Sequence, residues 1–172
     1  ARQQLMRLLS NDFFCSEEVN LRPLSFPKVR IRADVVAIPL DPKFYDMPIA
    51  FEVKQPSAGR ENHYAEWAPA IKQAADYVYA AIEPDQRLQD FGGRRVIAAF
   101  VFPAPELVSD PQGTSDREAN AKMITTGAFH AALYFRVGRA RIGVGVRSEI
   151  LNLSMGPKQL WSSDRGWDAS AS

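Results

Sequence analysis

Glu52-Val53-Lys54 closes the apolar run Ile49-Ala50-Phe51. Alternation along a strand sends Glu52 and Lys54 to one face and Phe51 and Val53 to the other. A carboxylate and an ammonium in such surroundings are costly to bury unless they pair or bind something. Asp34 ends a second alternating run, Val29-Arg30-Ile31-Arg32-Ala33-Asp34, and supplies another acid. Two acids and a lysine, on strands able to pair as a hairpin, suit metal-assisted phosphodiester cleavage. The acids would hold Mg²⁺ or Mn²⁺, which take oxygen ligands. The lysine would steer or activate water, or neutralise charge developing on phosphate.

These residues need a scaffold. Residues 2–9 read as an amphipathic helix with Leu5, Leu8 and Leu9 on one face. Residues 19–26 and 28–38 read as strands joined through Pro27, and residues 49–54 as a third, after a turn-rich link containing Asp41-Pro42. From about Glu61 to Ile82 the period turns helical, with Pro69 as a candidate kink. Residues 95–102 are almost wholly apolar, as a central strand buried on both faces would be. Ser115 and Glu118 resemble a capping box for a helix to about Phe129, and residues 131–147 suggest a hairpin turning at Gly138-Arg139. The tail with Trp161 and Trp167 reads equally as a packed extension or a loose end. The expectation is one α/β domain over residues 1–172, a mixed central sheet flanked by helices.

In this order the residues resemble the PD-(D/E)XK nuclease superfamily. Asp34, then Glu52-Val53-Lys54, match its Asp…(Asp/Glu)-x-Lys signature; Gln73-Ala74-Ala75-Asp76-Tyr77 is similar to the Gln-x-x-x-Tyr motif of its RecB-like and Cas4-like branches. The resemblance covers about residues 1–102, with the remainder as a C-terminal helix, hairpin and tail. It implies a restriction-endonuclease-like α-β-β-β-α-β core and a Mg²⁺- or Mn²⁺-dependent deoxyribonuclease, of the kind used in repair, recombination, restriction or phage replication. It also implies Asp34 and Glu52 as metal carboxylates, the Val53 carbonyl as a further ligand and Lys54 as the catalytic lysine. Gln73 and Tyr77, four apart on one helix face, would meet the site or a backbone phosphate. The chain departs from the pattern in having Ala33 before Asp34, no histidine upstream of Asp34, and no acid in its first helix; Glu17 and Glu18 follow that helix.

Plainer readings stand beside these. A lone Glu-x-Lys is commonly a surface ion pair worth little. Tyr77, like Tyr64 and Tyr79, can serve as packing. Arg30 and Arg32 share the alternation of Asp34 and suit a phosphate track, or equally an exposed charged face. Arg136, Arg139, Arg141 and Arg147 read as a nucleic-acid patch or, preferably, as guards on an edge hairpin. His63 reads as surface, and His130, beside Phe129, as structural.

Composition narrows the classes. The 172 residues are 46% hydrophobic and 24% charged, ordinary for a globular chain, and the net charge of +1 means that a nucleic-acid surface must be local. One cysteine and two histidines build neither an intrachain disulfide nor a Cys/His zinc cluster; Cys15 is expected as a half-buried core thiol. No apolar run has the length of a membrane span and no signal-peptide core opens the chain, so a soluble cytoplasmic setting without membrane partners is expected. Gly92-Gly93 lacks the Lys-Ser/Thr of a P-loop, and no Gly-x-Ser-x-Gly elbow occurs. Two rivals remain: a noncatalytic nucleic-acid-binding or assembly domain on the same scaffold, and an RNase. A homodimer is compatible, since paired cuts in a duplex need two sites.

Overall fold

The structure, a computed structural model, describes residues 1–55, 67–84, 87–104, 116–145 and 149–168. The readings at residues 56–66, including His63 and Tyr64, and those at the Ser115 cap and Arg147, lie outside the described residues.

The fold is mixed α/β. Helix α1 (Arg2–Leu9) precedes strands β1 (Phe13–Pro23), β2 (Ile31–Pro39) and β3 (Ile49–Val53). Helix α2 (Trp67–Val78), β4 (Ala80–Ile82), β5 (Ala98–Phe102) and α3 (Asp116–Ala132) follow, then β6 (Val137–Val144), β7 (Glu149–Met155), β8 (Lys158–Ser162) and β9 (Gly166–Trp167). The nine strands form one sheet in the order β4-β1-β2-β3-β5-β6-β7-β8-β9. β3, β5 and β6 are parallel; every other neighbouring pair is antiparallel.

Each face of the sheet has its own core. Ile71, Ala74 and Val78 of α2, with Phe129 and Ala132 of α3, pack on one face against Val36, Ala50, Ala99 and Val101. Leu5 and Leu9 of α1 pack on the other, against Val35, Ala37, Phe51 and Phe100. All five residues of β5 are buried, as their apolar run requires between two parallel neighbours. Phe13 on β1 touches Trp161 and Trp167 on β8 and β9, strands far from it in the sheet order, so the sheet curls over the α1 face.

The first two strands exchange faces midway. Phe13 belongs to the α1-side core but Val19 and Leu21 to the α2-side core, although all are odd-numbered. On β2, Ala33 lies with the α2 side and Val35 with the α1 side. Glu18, at φ 51°, lies at the change, where a left-handed residue sharpens the strand twist as in a bulge. Asp34 sits at that crossover.

Several expectations need correction. β1 begins at Phe13, six residues before the expected start at Val19. The helix through Gln73 runs undivided past Pro69 but ends at Val78, and Ala80–Ile82 is a strand on the edge of β1. The expected hairpin turn at Gly138-Arg139 does not form: α3 extends to Ala132, and β6 runs through Gly138 to pair with β7. Gly138 is a packing glycine, since a Cβ there would lie 2.5 Å from the Ser154 carbonyl and 2.6 Å from the Phe100 ring. Arg139 and Arg141 therefore lie on an interior strand and guard no edge. His130 is exposed, and the tail pairs as strands as far as Trp167, with Trp161 only 1% exposed.

Candidate functional site

Pairing of β2 with β3 runs from Ala37↔Ile49 to Val35↔Phe51 and stops. The Lys54 N–H donates to the Phe102 carbonyl on β5, so the alternating donor of Val53 points at β2. There it meets Asp34 Oδ2 at 2.7 Å, a side-chain acceptor where a ladder carbonyl would otherwise stand. The face exchange of β2 thus turns the Asp34 carboxylate into the fork between two strands.

Glu52 follows the last ladder pair and is 3% exposed. Its Oε1 lies 2.6 Å from Lys54 Nζ, and its Oε2 accepts a 2.5 Å hydrogen bond from the Tyr77 hydroxyl. Strand alternation brings the first pair together; α2, packed over that face, brings Tyr77. The Tyr77 hydroxyl is also 3.0 Å from the Arg32 carbonyl. One phenolic proton cannot serve both, and the carboxylate is the stronger acceptor. Burial, then the hydrogen bond to Glu52, push the Tyr77 pKa upward, with the charges of Glu52 and Asp34 adding to the shift. Tyr77 therefore stays protonated and holds one Glu52 oxygen.

Asp34 and Tyr77 line a cavity of about 280 Å³ together with Ile31, Arg32, Gln73 and Asp76. Gln73 is exposed and opens onto this space. Arg32 lines it too, with its guanidinium 3.5 Å from Glu18; Arg30 does not, and pairs with Glu83 at 3.3 Å. Val53 lines a second cavity, of about 520 Å³, on the α1 side with Arg2, Glu17 and Gln55. The fork is thus open from both layers.

The pattern did not signal two of the participants. Arg2 on α1 reaches Asp34 Oδ1 at 3.2 Å and Glu18 at 3.0 Å, a cation where the resemblance would put an acid. Asp76, inside the motif but between its matching positions, also lines the cavity of Gln73 and Tyr77, so it is no neutral neighbour. Arg2 carries no signal in a helix period; Asp76 could have been found from its one-residue offset from Tyr77.

The donor set has the chemistry of a hard-cation site: two carboxylates and the Val53 carbonyl. Each carboxylate oxygen has one partner above and a second lone pair to spare, so the residues fit an Mg²⁺ or Mn²⁺ ion. Among the described residues, no group of three or more His, Cys, Asp or Glu side chains could hold a metal. An ion here would therefore rest on two acids and backbone or water oxygens.

Compared with known proteins, the chain matches no family model, no curated protein and no solved structure. Among the described residues, no helix is long and apolar enough to cross a membrane.

Proposed function

We propose that this chain is a metal-dependent nuclease of the restriction-endonuclease-like kind, with DNA as its substrate. The observation that carries the proposal is the pairing of Glu52 with Lys54 and Tyr77 next to the β2–β3 fork that Asp34 enters, with Asp34, Tyr77 and Gln73 lining one cavity. The α-β-β-β-α order ahead of a buried parallel strand supports the same reading, although β4 intervenes before β5.

A divalent ion bound there would polarise the scissile phosphate and make a bound water more acidic. Asp34 and Glu52 would hold it, with the Val53 carbonyl. Tyr77 keeps one Glu52 oxygen in place, so the carboxylate presents a fixed orientation. Lys54, 28% exposed, sits where it can orient water or meet phosphate charge. Gln73 borders the approach beside Tyr77 and can hydrogen-bond a backbone phosphate.

One observation favours the noncatalytic rival: all four carboxylate oxygens of the pair already have partners, Arg2 among them. The assay that decides is cleavage of labelled single- and double-stranded DNA and RNA with Mg²⁺, Mn²⁺ or EDTA. Metal-dependent DNA cleavage, lost in Asp34→Asn and Glu52→Gln and strongly reduced in Lys54→Ala, is expected. Binding without cleavage supports the scaffold reading, cleavage confined to RNA the RNase reading, and full activity in Lys54→Ala sinks the proposed site.

A further inference from the structure

The β1–β2 connection, residues 24–30, reads Leu-Ser-Phe-Pro-Lys-Val-Arg: Ser25 and Pro27 are ordinary turn residues, but Leu24, Phe26 and Val29 are apolar. Leu24 is 55% exposed, Phe26 68% and Val29 49%. The tip is ordered by backbone bonds from Phe26 N–H to the Pro23 carbonyl and from Val29 N–H to the Phe26 carbonyl, at 3.3 and 2.9 Å. Single exposed apolar residues are unremarked on any surface, but three at one hairpin tip form a patch.

The patch is ringed by cations. Leu21, Ile31 and Ala33 turn to the core, so Arg22, Arg30 and Arg32 stand on the opposite, outer face, with Asn20 registered against Arg32. Arg22 and Arg30 share Glu83, so that one carboxylate is split between two guanidiniums, while Arg32 shares Glu18 with Arg2, which also holds Asp34. Lys28 adds an exposed ammonium at the tip. In a chain of net charge +1, this is a local positive surface. Arg30 directly precedes β2 and Arg32 lies on it, and Arg32 is linked through Glu18 and Arg2 to Asp34, so the row leads from the tip to the fork.

We propose that this hairpin engages nucleic acid, Phe26 stacking on an unpaired or splayed base while Arg22, Arg30 and Arg32 contact successive phosphates on the way to the fork. The inference rests on the nuclease reading for its direction, and it narrows the substrate to DNA with single-stranded or unstacked bases. The cationic ring and the continuity of the arginine row with Asp34 favour a polyanion over an apolar protein partner.

The test is fluorescence anisotropy with fluorescein-labelled forked DNA and the matching blunt duplex, in EDTA, so that binding is read without cleavage. Wild type should prefer the fork. Phe26→Ala should weaken fork binding roughly tenfold, the scale of one lost base stack, while Phe26→Trp should retain it. A 2-aminopurine placed at the fork should lose its quenching in Phe26→Ala. Arg30→Gln and Arg32→Gln should each reduce the salt slope by about one. Unchanged fork affinity in Phe26→Ala overturns the proposal, as does binding to phosphatidylserine vesicles but not DNA, or self-association that Phe26→Ala abolishes. The two readings can fail separately. Phe26-dependent fork binding in a protein that never cleaves leaves the hairpin and removes the nuclease. Metal-dependent cleavage with no effect of Phe26 does the reverse.

Discussion

A carboxylate that is 3% exposed needs partners for both oxygens, and Glu52 has them in Tyr77 and Lys54. Trimming it is therefore not the removal of a lone site charge. Glu52→Ala removes the partner of the Lys54 ammonium and the stronger of the two acceptors of the buried Tyr77 phenol, and should destabilise by about 1–3 kcal/mol; Glu52→Gln keeps an acceptor and should lose less. Tyr77→Phe should cost about 1–2 kcal/mol by the same reasoning, with chemical denaturation the measurement for all three. Equal stability of Glu52→Ala and wild type would mean that the pair is not made. Cys15 offers a separate test. Burial raises its thiol from 9.0 to about 12. Between those values the folded protein keeps a proton that the unfolded chain has released, so stability should fall as pH rises through that window. Cys15→Ala should remove that part of the pH dependence, and the native thiol should resist iodoacetamide at neutral pH.

Elements were legible where one local pattern decided them. The α1 period, the turn-rich link before β3 and the apolar run of β5 are each fixed by nearby residues. The Glu-x-Lys pairing follows from strand alternation alone, and the four-residue spacing of Gln73 and Tyr77 from helix geometry. What escaped depends on distant partners. β4 was hidden because Ala80–Ile82 continues the helical apolar spacing, and only pairing with β1 makes it strand. The entry of Arg2 into the fork needs α1 to be docked before it means anything. Gly138 misled for a similar reason, as a glycine looks like a turn until the Phe100 ring and the Ser154 carbonyl are beside it. Gly138→Ala should therefore destabilise by about 1–3 kcal/mol through overpacking. Gly127, in α3 with open space around it, is the contrast: Gly127→Ala should stabilise by about 0.5–1 kcal/mol. Thermal melts of the two variants should move in opposite directions, and a shared direction would contradict the assigned packing.

At the scale of the molecule, β2, β3 and β5 lie between two cores, so neither layer can be lost without exposing strands the other needs. The β2–β3 fork lies on these shared strands, and the curled C-terminal strands close the α1-side core beneath them. Trp161 is the closure point: 1% exposed, it meets Phe13 edge-on with ring centroids 5.1 Å apart, joining β8 to the start of β1. Trp161→Ala should destabilise by about 3–5 kcal/mol, as large aromatic truncations in a core do. Trp161→Phe should lose much less, because it keeps the ring and gives up an indole N–H that has no partner among the described residues. If the two cores are one cooperative unit, far-UV circular dichroism and the fluorescence of the remaining tryptophans should report the same midpoint in Trp161→Ala, displaced together from wild type. Separate midpoints, with the C-terminal strands melting first, would mean that the β2–β3 fork stands without them.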